Sequence, residues 1–282
     1  ARVKRVQGGR VAGFVNAVLR RLSPGDLERQ LPADPVARIA LQASLPEPLA
    51  RRWAAQLGPE QALELVRELL GRAPLTARVN SLRCDGESLA AALAAEGARA
   101  TPGRHLPRSA VRIEGLASPF TSPSYRQGLW TVQDEAAQLV TEALDPRPGE
   151  TVIDACAGVG GKATHAAARM RDRGRVVCLD INGRKLELLA RHCERLGIGC
   201  CAAVQADLRR PRELPPELRG DRVLVDAPCT GLGVVGRHPE LKWRFDEQAV
   251  APLVGLQREL LLAASALVRP GGALVYSVCT TT

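Results

Sequence analysis

Hydrophobic spacing divides the chain in two at about residue 150. Ahead of that point the pattern is mostly helical. Val11, Phe14, Val15, Val18, Leu19 and Leu22 recur at three- and four-residue intervals, which predicts an amphipathic helix that stops at Ser23-Pro24-Gly25. Pro32 to Pro35 reads as a connector. Pro48–Leu57 and Pro59–Leu70 are further helical runs, each opened by a proline at its first turn, where a missing N–H costs nothing. A small α/β unit follows: Thr76–Ser81 alternates as a strand, Gly86–Glu96 is an Ala/Leu helix closed by Gly97, and Ala110–Glu114 alternates again. Gln133–Leu144 is helical and ends at Asp145-Pro146-Arg147-Pro148-Gly149.

From Thr151 apolar runs and amphipathic stretches take strict turns. The predicted strands are Thr151–Ala155, Arg175–Asp180, Cys200–Ala206, Arg222–Ala227 and Ala273–Val278. Their near-continuous apolar character is that of strands buried on both faces. The predicted helices are Lys162–Asp172, Asn182–Leu196 and Asp246–Val268. Such alternation implies an α/β fold, a parallel sheet with helices on both faces, whose ligands bind beyond the carboxyl ends of the strands.

Composition narrows the partners. The 282 residues carry a net charge of +9 with 24% charged and 45% hydrophobic positions. No apolar run is long enough to cross a bilayer, so no membrane partner is expected. The basic excess points to a polyanion such as RNA. With only 3% aromatic residues, base contacts would rely on Arg planes and a pocket rather than on a stacking sheet. Arg99, Arg104, Arg108 and Arg112 place positive charge on the small α/β unit. The eight cysteines include no C-x-x-C pair and fall mainly in or beside predicted core strands. That argues against a metal site and for a reducing, cytoplasmic compartment.

The candidate chemistry lies at the strand ends. Gly158-x-Gly160-x-x-Ala163 follows the first strand of the sheet and opens a helix, and Asp180 ends the second strand. Glycines let a ligand approach the backbone, helix-start amides favour negative charge, and the acid can hold two ribose hydroxyls. The pattern suits the adenosine of NAD or of S-adenosylmethionine (SAM). Asp207, after the third strand, is placed for an adenine amino group, and Asp226, ending the fourth, for the reacting end of the cofactor. Asp226-Ala227-Pro228-Cys229 sets a thiol at a strand end, followed by a glycine-rich loop and the basic tail Arg237, His238, Lys242, Trp243 and Arg244. Tyr276-Ser277-Val278-Cys279-Thr280 sets a second thiol at the end of another strand. In a 3-2-1-4-5 strand order the two ends are neighbours. A thiolate that adds to carbon 6 of a cytosine turns carbon 5 into a nucleophile able to accept a methyl group, and a second acid/base group can assist release.

At these residues the chain resembles the RNA 5-cytosine methyltransferases of the NOL/NOP/Sun family. The stretches IDACAGVGGKATH, LDINGRKLELLARHCERLG, VLVDAPCTGLGVVGRHPELKWR and LVRPGGALVYSVCT carry the likeness, with VQDEAAQLV and FVNAVLRRL upstream. The resemblance implies a Rossmann-like SAM-dependent methyltransferase sheet preceded by a helical segment and a small α/β RNA-binding subdomain. It implies SAM held by Cys156, Ala157, Gly158, Val159, Gly160, Gly161 and Lys162, with Asp180 on ribose, Asp207 on adenine and Asp226 on the cofactor or as base. Cys279 would be the nucleophile and Cys229 would assist product release, in a monomer acting on small-subunit ribosomal RNA. The implied domains are the tail of a NusB-like RNA-binding domain (1–30), a helical linker (31–75), the small subdomain (76–132) and the methyltransferase domain (133–282), its last two strands not within the chain. The family's usual CAAPGGK reads CAGVGGK here, and its Thr-Cys-Ser around the nucleophile reads Val278-Cys279-Thr280. The rival readings are an NAD(P)-dependent oxidoreductase, which leaves the thiols unexplained, and a non-catalytic RNA-binding protein with a relic methyltransferase fold.

Overall fold

The computed structural model describes residues 2–21, 31–71 and 73–281, so the helix stop expected at Ser23-Pro24-Gly25 lies outside the described residues. The chain forms two compact units, one of residues 1–71 with 239–247, the other of 72–238 with 248–282. No described helix is long and apolar enough to cross a membrane.

The first unit is helical: α1 (Arg2–Arg21), α2 (Pro35–Gln42), α3 (Glu47–Leu57) and α4 (Pro59–Leu70). Sequence spacing missed α2, although its start signals are present. Asp34 accepts the Ala37 amide at 2.7 Å, and Pro35 occupies the first turn. Ile39, Leu49, Ala50, Trp53, Ala62 and Val66 form the core of this unit. On α1, by contrast, Phe14 and Leu19 stay exposed. Residues 239–243 make a tight 3-10 turn on this unit, where the Lys242 ammonium is buried and donates to the Ala43 carbonyl at 3.1 Å.

The second unit holds two sheets. The smaller is antiparallel, ordered β2-β3-β1-β4, from β1 (Leu75–Val79), β2 (Arg99–Pro102), β3 (Ala110–Glu114) and β4 (Trp130–Val132), with α5 (Gly86–Ala95) packed on it. Only β1 and β3 were expected. The other two are edge strands of three or four residues, too short for alternation to register. Ala77, Val79, Leu89, Leu93, Val111, Ile113 and Trp130 bury its inner face. After the short helix α6 (Pro123–Arg126) and β4, α7 (Glu135–Leu144) leads into the larger sheet.

The larger sheet is wholly parallel and ordered β7-β6-β5-β8-β9, the 3-2-1-4-5 order expected. Its strands are β5 (Thr151–Asp154), β6 (Arg175–Asp180), β7 (Cys201–Gln205), β8 (Gly220–Asp226) and β9 (Val268–Ser277). The helices between them are α8 (Gly161–Arg169), α9 (Gly183–Leu196) and α10 (Val250–Ser265). Val152, Cys178 and Leu224 pack one face against α8 and α9, and Ile153, Val177, Val223 and Val225 pack the other against α10. The central strands are buried on both faces, as predicted. The outer strands β7 and β9 are only partly buried, because each has a neighbour on one side. Helix α10 starts later than expected, behind a 3-10 turn at Glu247–Ala249, and β9 starts earlier, with an irregular register opposite Gly220 and Arg222. Polar side chains join the two sheets: the buried Asn80 Nδ2 donates to the carbonyls of Gly128 and Leu196 at 2.8 and 2.9 Å, and the partly buried Arg195 guanidinium lies 3.8 Å over the Tyr125 ring.

Candidate active site

The carboxyl ends of β5, β6, β7, β8 and β9 surround a cavity of about 870 Å³. Its floor is the turn between β5 and α8. Gly158 and Gly160 both take positive φ, +55° and +84°, a region that glycine enters without strain. Cys156, Ala157, Gly158, Val159, Gly161 and Lys162 line the cavity as the sequence predicts. Gly160 does not. A Cβ there would stand 2.6 Å from Leu189 Cγ, so this glycine lets the loop close onto α9 and acts from behind. The Cys156 thiol is pushed up to about 12 by burial and by the acids Asp154, Asp180 and Asp226, which makes it a filler and not a thiolate.

The predicted acids all reach the cavity, and each is held. Asp180 accepts the Gly158 amide at 2.9 Å through one oxygen and the Asn182 amide at 2.8 Å through the other, fixing the glycine turn to the end of β6. Asp207 is gripped by Arg209, whose Nη2 and Nε donate at 2.8 and 3.0 Å, so an adenine amino group would share this carboxylate with a guanidinium. Asp226 receives the Lys162 ammonium at 2.5 Å and the Ser277 hydroxyl at 2.8 Å.

The two thiols meet. Cys229 Sγ and Cys279 Sγ are 3.3 Å apart, beyond the ends of β8 and β9, and Cys279 lines the cavity. The loops that carry them are tied by a Thr230–Thr280 hydroxyl contact at 2.5 Å and by the Gly233 amide donating to the Cys279 carbonyl at 3.0 Å. A Cβ on Gly233 would crowd that carbonyl at 3.0 Å, which accounts for glycine there. The pair titrates as one system: the hydrogen bond from Cys279 brings Cys229 down to about 6, and the same contact pushes Cys279 up. One thiolate is thus favoured and the second opposed, and a proton lying between two sulfurs can pass to either.

Several residues at the site were not singled out from sequence. Asp154, at the end of β5, is buried with one oxygen unpartnered, and its carboxyl is pushed up to about 7 by burial first and then by Asp226. Gln133, Lys185, Val234, Leu256 and Leu260 also line the cavity. An acid closing the first strand of the sheet was the available signal for Asp154; the others reach the cavity through tertiary contacts alone. The residues of the basic tail go to different places. Arg237 is an internal tether, its Nε donating to Asp134 at 2.8 Å and its Nη2 to the Pro74 carbonyl at 2.7 Å. Lys242 is buried in the helical unit, and of the tail only His238 lines the cavity. All eight cysteines are free, and no group of three potential ligands among the described residues is placed to hold a metal.

The family described as 16S rRNA methyltransferase RsmB/F matches residues 141–282, and the ferredoxin-like domain of RsmF/B-like methyltransferases matches residues 45–118. The chain belongs to the RsmB/F family. It is 38% identical over 272 residues to a probable ribosomal RNA small subunit methyltransferase B of Bacillus subtilis, covering 96% of this chain and 60% of that protein. The chain thus spans about three fifths of the length of the curated relatives it matches. Among solved structures, that of PH0851 shares 30% identity at a TM-score of 0.83, over 99% of this chain and 62% of that one. A methyltransferase homolog protein from Pyrococcus horikoshii shares 27% at a TM-score of 0.74, over 93% and 79%. These likenesses agree with the parallel sheet and with the ferredoxin-like character of the antiparallel one.

Proposed function

We propose that this chain carries the catalytic domain of an enzyme that uses SAM to methylate carbon 5 of a cytosine in small-subunit ribosomal RNA, through a covalent bond between Cys279 and the base. The observation that most supports this reading is the thiol pair, 3.3 Å between sulfurs, with Cys279 opening on the cavity. A structural cysteine pair would have no need to stand where a parallel sheet binds its ligands. Membership of the RsmB/F family supports the substrate class, as does the net charge of +9.

The residues fit SAM. Asp180 has lone pairs left for two ribose hydroxyls, Asp207 for an adenine amino group, and Asp154 offers a buried oxygen without a partner. Asp154, Asp180 and Asp226 together make the cavity favourable to a cationic ligand. Bound SAM supplies an electrophilic methyl group.

The chain's own steps follow from the thiols. The Cys279 thiolate adds its electron pair to carbon 6 of the cytosine, and the displaced double-bond electrons make carbon 5 nucleophilic. The proton the pair shared is then on Cys229; with Cys279 bound to carbon 6 its charge no longer opposes a second thiolate, and Cys229 releases that proton to water. Once carbon 5 is methylated, its remaining proton passes to the Cys229 thiolate so formed. The electron pair of that C–H bond re-forms the 5,6 double bond, and Cys279 leaves as the thiolate it was. Asp226, held by Lys162 and Ser277, presents its remaining lone pairs to the base or the cofactor.

The test is methyl transfer from labelled SAM to small-subunit ribosomal RNA, read beside a denaturing gel. Cys279→Ala abolishes incorporation and forms no adduct, whereas Cys229→Ala accumulates an RNA–protein adduct. The reverse pattern swaps the two roles. No incorporation by the unsubstituted chain, or thermal stabilisation by NADH and not by SAM, overturns the reading.

A further inference from the structure

Arg78 belongs to neither the glycine motif nor the thiol loops. It lies on β1 of the small antiparallel sheet, is 2% exposed, and ends against α8. Its Nη1 donates to the Gly161 carbonyl at 2.7 Å and to Gln133 Oε1 at 2.6 Å, and its Nη2 donates to Thr164 Oγ1 at 3.0 Å. Its Nε has no partner. None of the three acceptors is a carboxylate. A guanidinium taken out of water normally meets an acid, because burying an unpaired charge costs several kcal/mol. Burial and the neighbouring Arg195 hold its pKa down to about 9, which leaves it cationic at neutral pH.

That charge stands behind the first turn of α8. Helix-start amides have no intrahelical acceptor and point toward the ligand side. The carbonyl that Arg78 grips belongs to the Gly161–Lys162 peptide, whose N–H is one of those amides, and a cation on the carbonyl oxygen strengthens the N–H as a donor. Gly161, Lys162 and Gln133 all line the cavity. Apart from Lys185, the rival cation in the lining, the other charges there suit the cationic parts of SAM and oppose its one anion. Lys162 is occupied by Asp226 and Arg209 by Asp207, while Asp180 and Asp226 would repel a carboxylate.

We propose that Arg78 is a positioning residue for the methionine carboxylate of SAM, its buried charge and its hold on the Gly161 carbonyl making the start of α8 a seat for that anion. This rests on SAM being the ligand. On this account the ferredoxin-like sheet takes part in reading the amino-acid end of the cofactor. The charge is kept despite its cost because the cofactor supplies the missing counter-ion.

The experiment compares SAM with decarboxylated SAM, which lacks only the carboxylate, by calorimetric titration. The unsubstituted chain binds SAM about tenfold more tightly than the decarboxylated form, as one charge-assisted contact provides. Arg78→Met removes that preference while leaving decarboxylated SAM within about twofold, and Arg78→Lys restores part of it. Equal affinity of the unsubstituted chain for the two ligands overturns the assignment with no variant needed. So does a parallel loss for both ligands in Arg78→Met, which marks a merely structural role, or a selective loss at Lys185→Ala with none at Arg78. Failure of the unsubstituted chain to bind either ligand overturns the SAM reading itself.

Discussion

Cys229 Sγ and Cys279 Sγ stand 3.3 Å apart across the ends of two adjacent parallel strands. A disulfide needs about 2.05 Å between sulfurs, so a movement of about 1.2 Å would join them. Hydrogen peroxide is a sufficient oxidant: two thiols give up two protons and two electrons, and peroxide becomes two waters. Mild peroxide is therefore expected to lower the count of titratable thiols by two, and dithiothreitol to restore it. Cys229→Ser removes this reversible loss. The rate rises as pH passes about 6, where the favoured thiolate forms, and then levels. Peptide mapping that finds the new bond between other cysteines would refute the expectation.

The Lys162–Asp226 pair, 2.5 Å apart, joins the cofactor loop to the thiol loop. Lys162→Met leaves Asp226 with the Ser277 hydroxyl and removes the cation that opposes the rise of the Asp154 pKa. The expected result is a loss of about tenfold or more in kcat/KM for methyl transfer, since charged hydrogen bonds contribute about 1.5–3 kcal/mol. Ser277→Ala, which removes the neutral partner, costs less. Equal rates for Lys162→Met and the parent would show that Asp226 needs no counter-ion.

What the sequence made legible was whatever repeats locally. Apolar runs such as Val152-Ile153 and Val176-Val177-Cys178-Leu179 announced buried parallel strands, and the strand order then brought Cys229 and Cys279 together. What stayed hidden depends on contacts between distant segments. Arg78 reads as an ordinary strand cation until Gly161, 83 positions away, is seen to accept from it. Gly160 looks like a ligand contact in the motif, yet its role is to admit Leu189. Arg237 reads as one residue of a basic tail, yet its charge is spent on Asp134. The edge strands β2 and β4 hold too few residues to show a period.

The two glycines of the cofactor turn differ in what surrounds them. At Gly158 a Cβ would meet nothing within 4 Å, so Gly158→Ala costs only the left-handed backbone conformation, about 1–2 kcal/mol. At Gly160 the same strain adds to a Cβ 2.6 Å from Leu189 Cγ, and Leu189 is 1% exposed with little room to move. Gly160→Ala is thus expected to lose about 3 kcal/mol or more in urea unfolding. Restoring the family's Ala-Pro at 158–159 tests the loop further. A residue before proline prefers extended backbone, whereas Gly158 has φ of +55°. The double substitution is expected to be less stable than the parent despite matching the more usual motif.

Asp154 gives the chain a distinct pH signature. Its carboxyl has a pKa of about 7 in the folded state, raised by burial and then by Asp226, against about 3.9 in an unfolded chain. Below about pH 4 it is protonated in both states and costs nothing. Between pH 4 and 7 the unfolded chain releases the proton and the folded chain keeps it, so stability falls by about 1.4 kcal/mol per unit, a few kcal/mol by neutral pH. His165 and His192 act in the opposite sense. Both are held at about 4, mainly by burial, so their stabilisation is present above about pH 6.5 and lost toward pH 4. Asp154→Asn separates the effects, because the histidines contribute equally to parent and variant. Its amide places a donor where Asp154 Oδ1 has no partner, a pH-independent offset of about 1–3 kcal/mol. The difference in unfolding free energy between variant and parent should therefore shift in favour of the variant from pH 4.5 to pH 8 and then stop changing. A difference that stays flat over that range would mean that Asp154 ionises as an exposed carboxyl does.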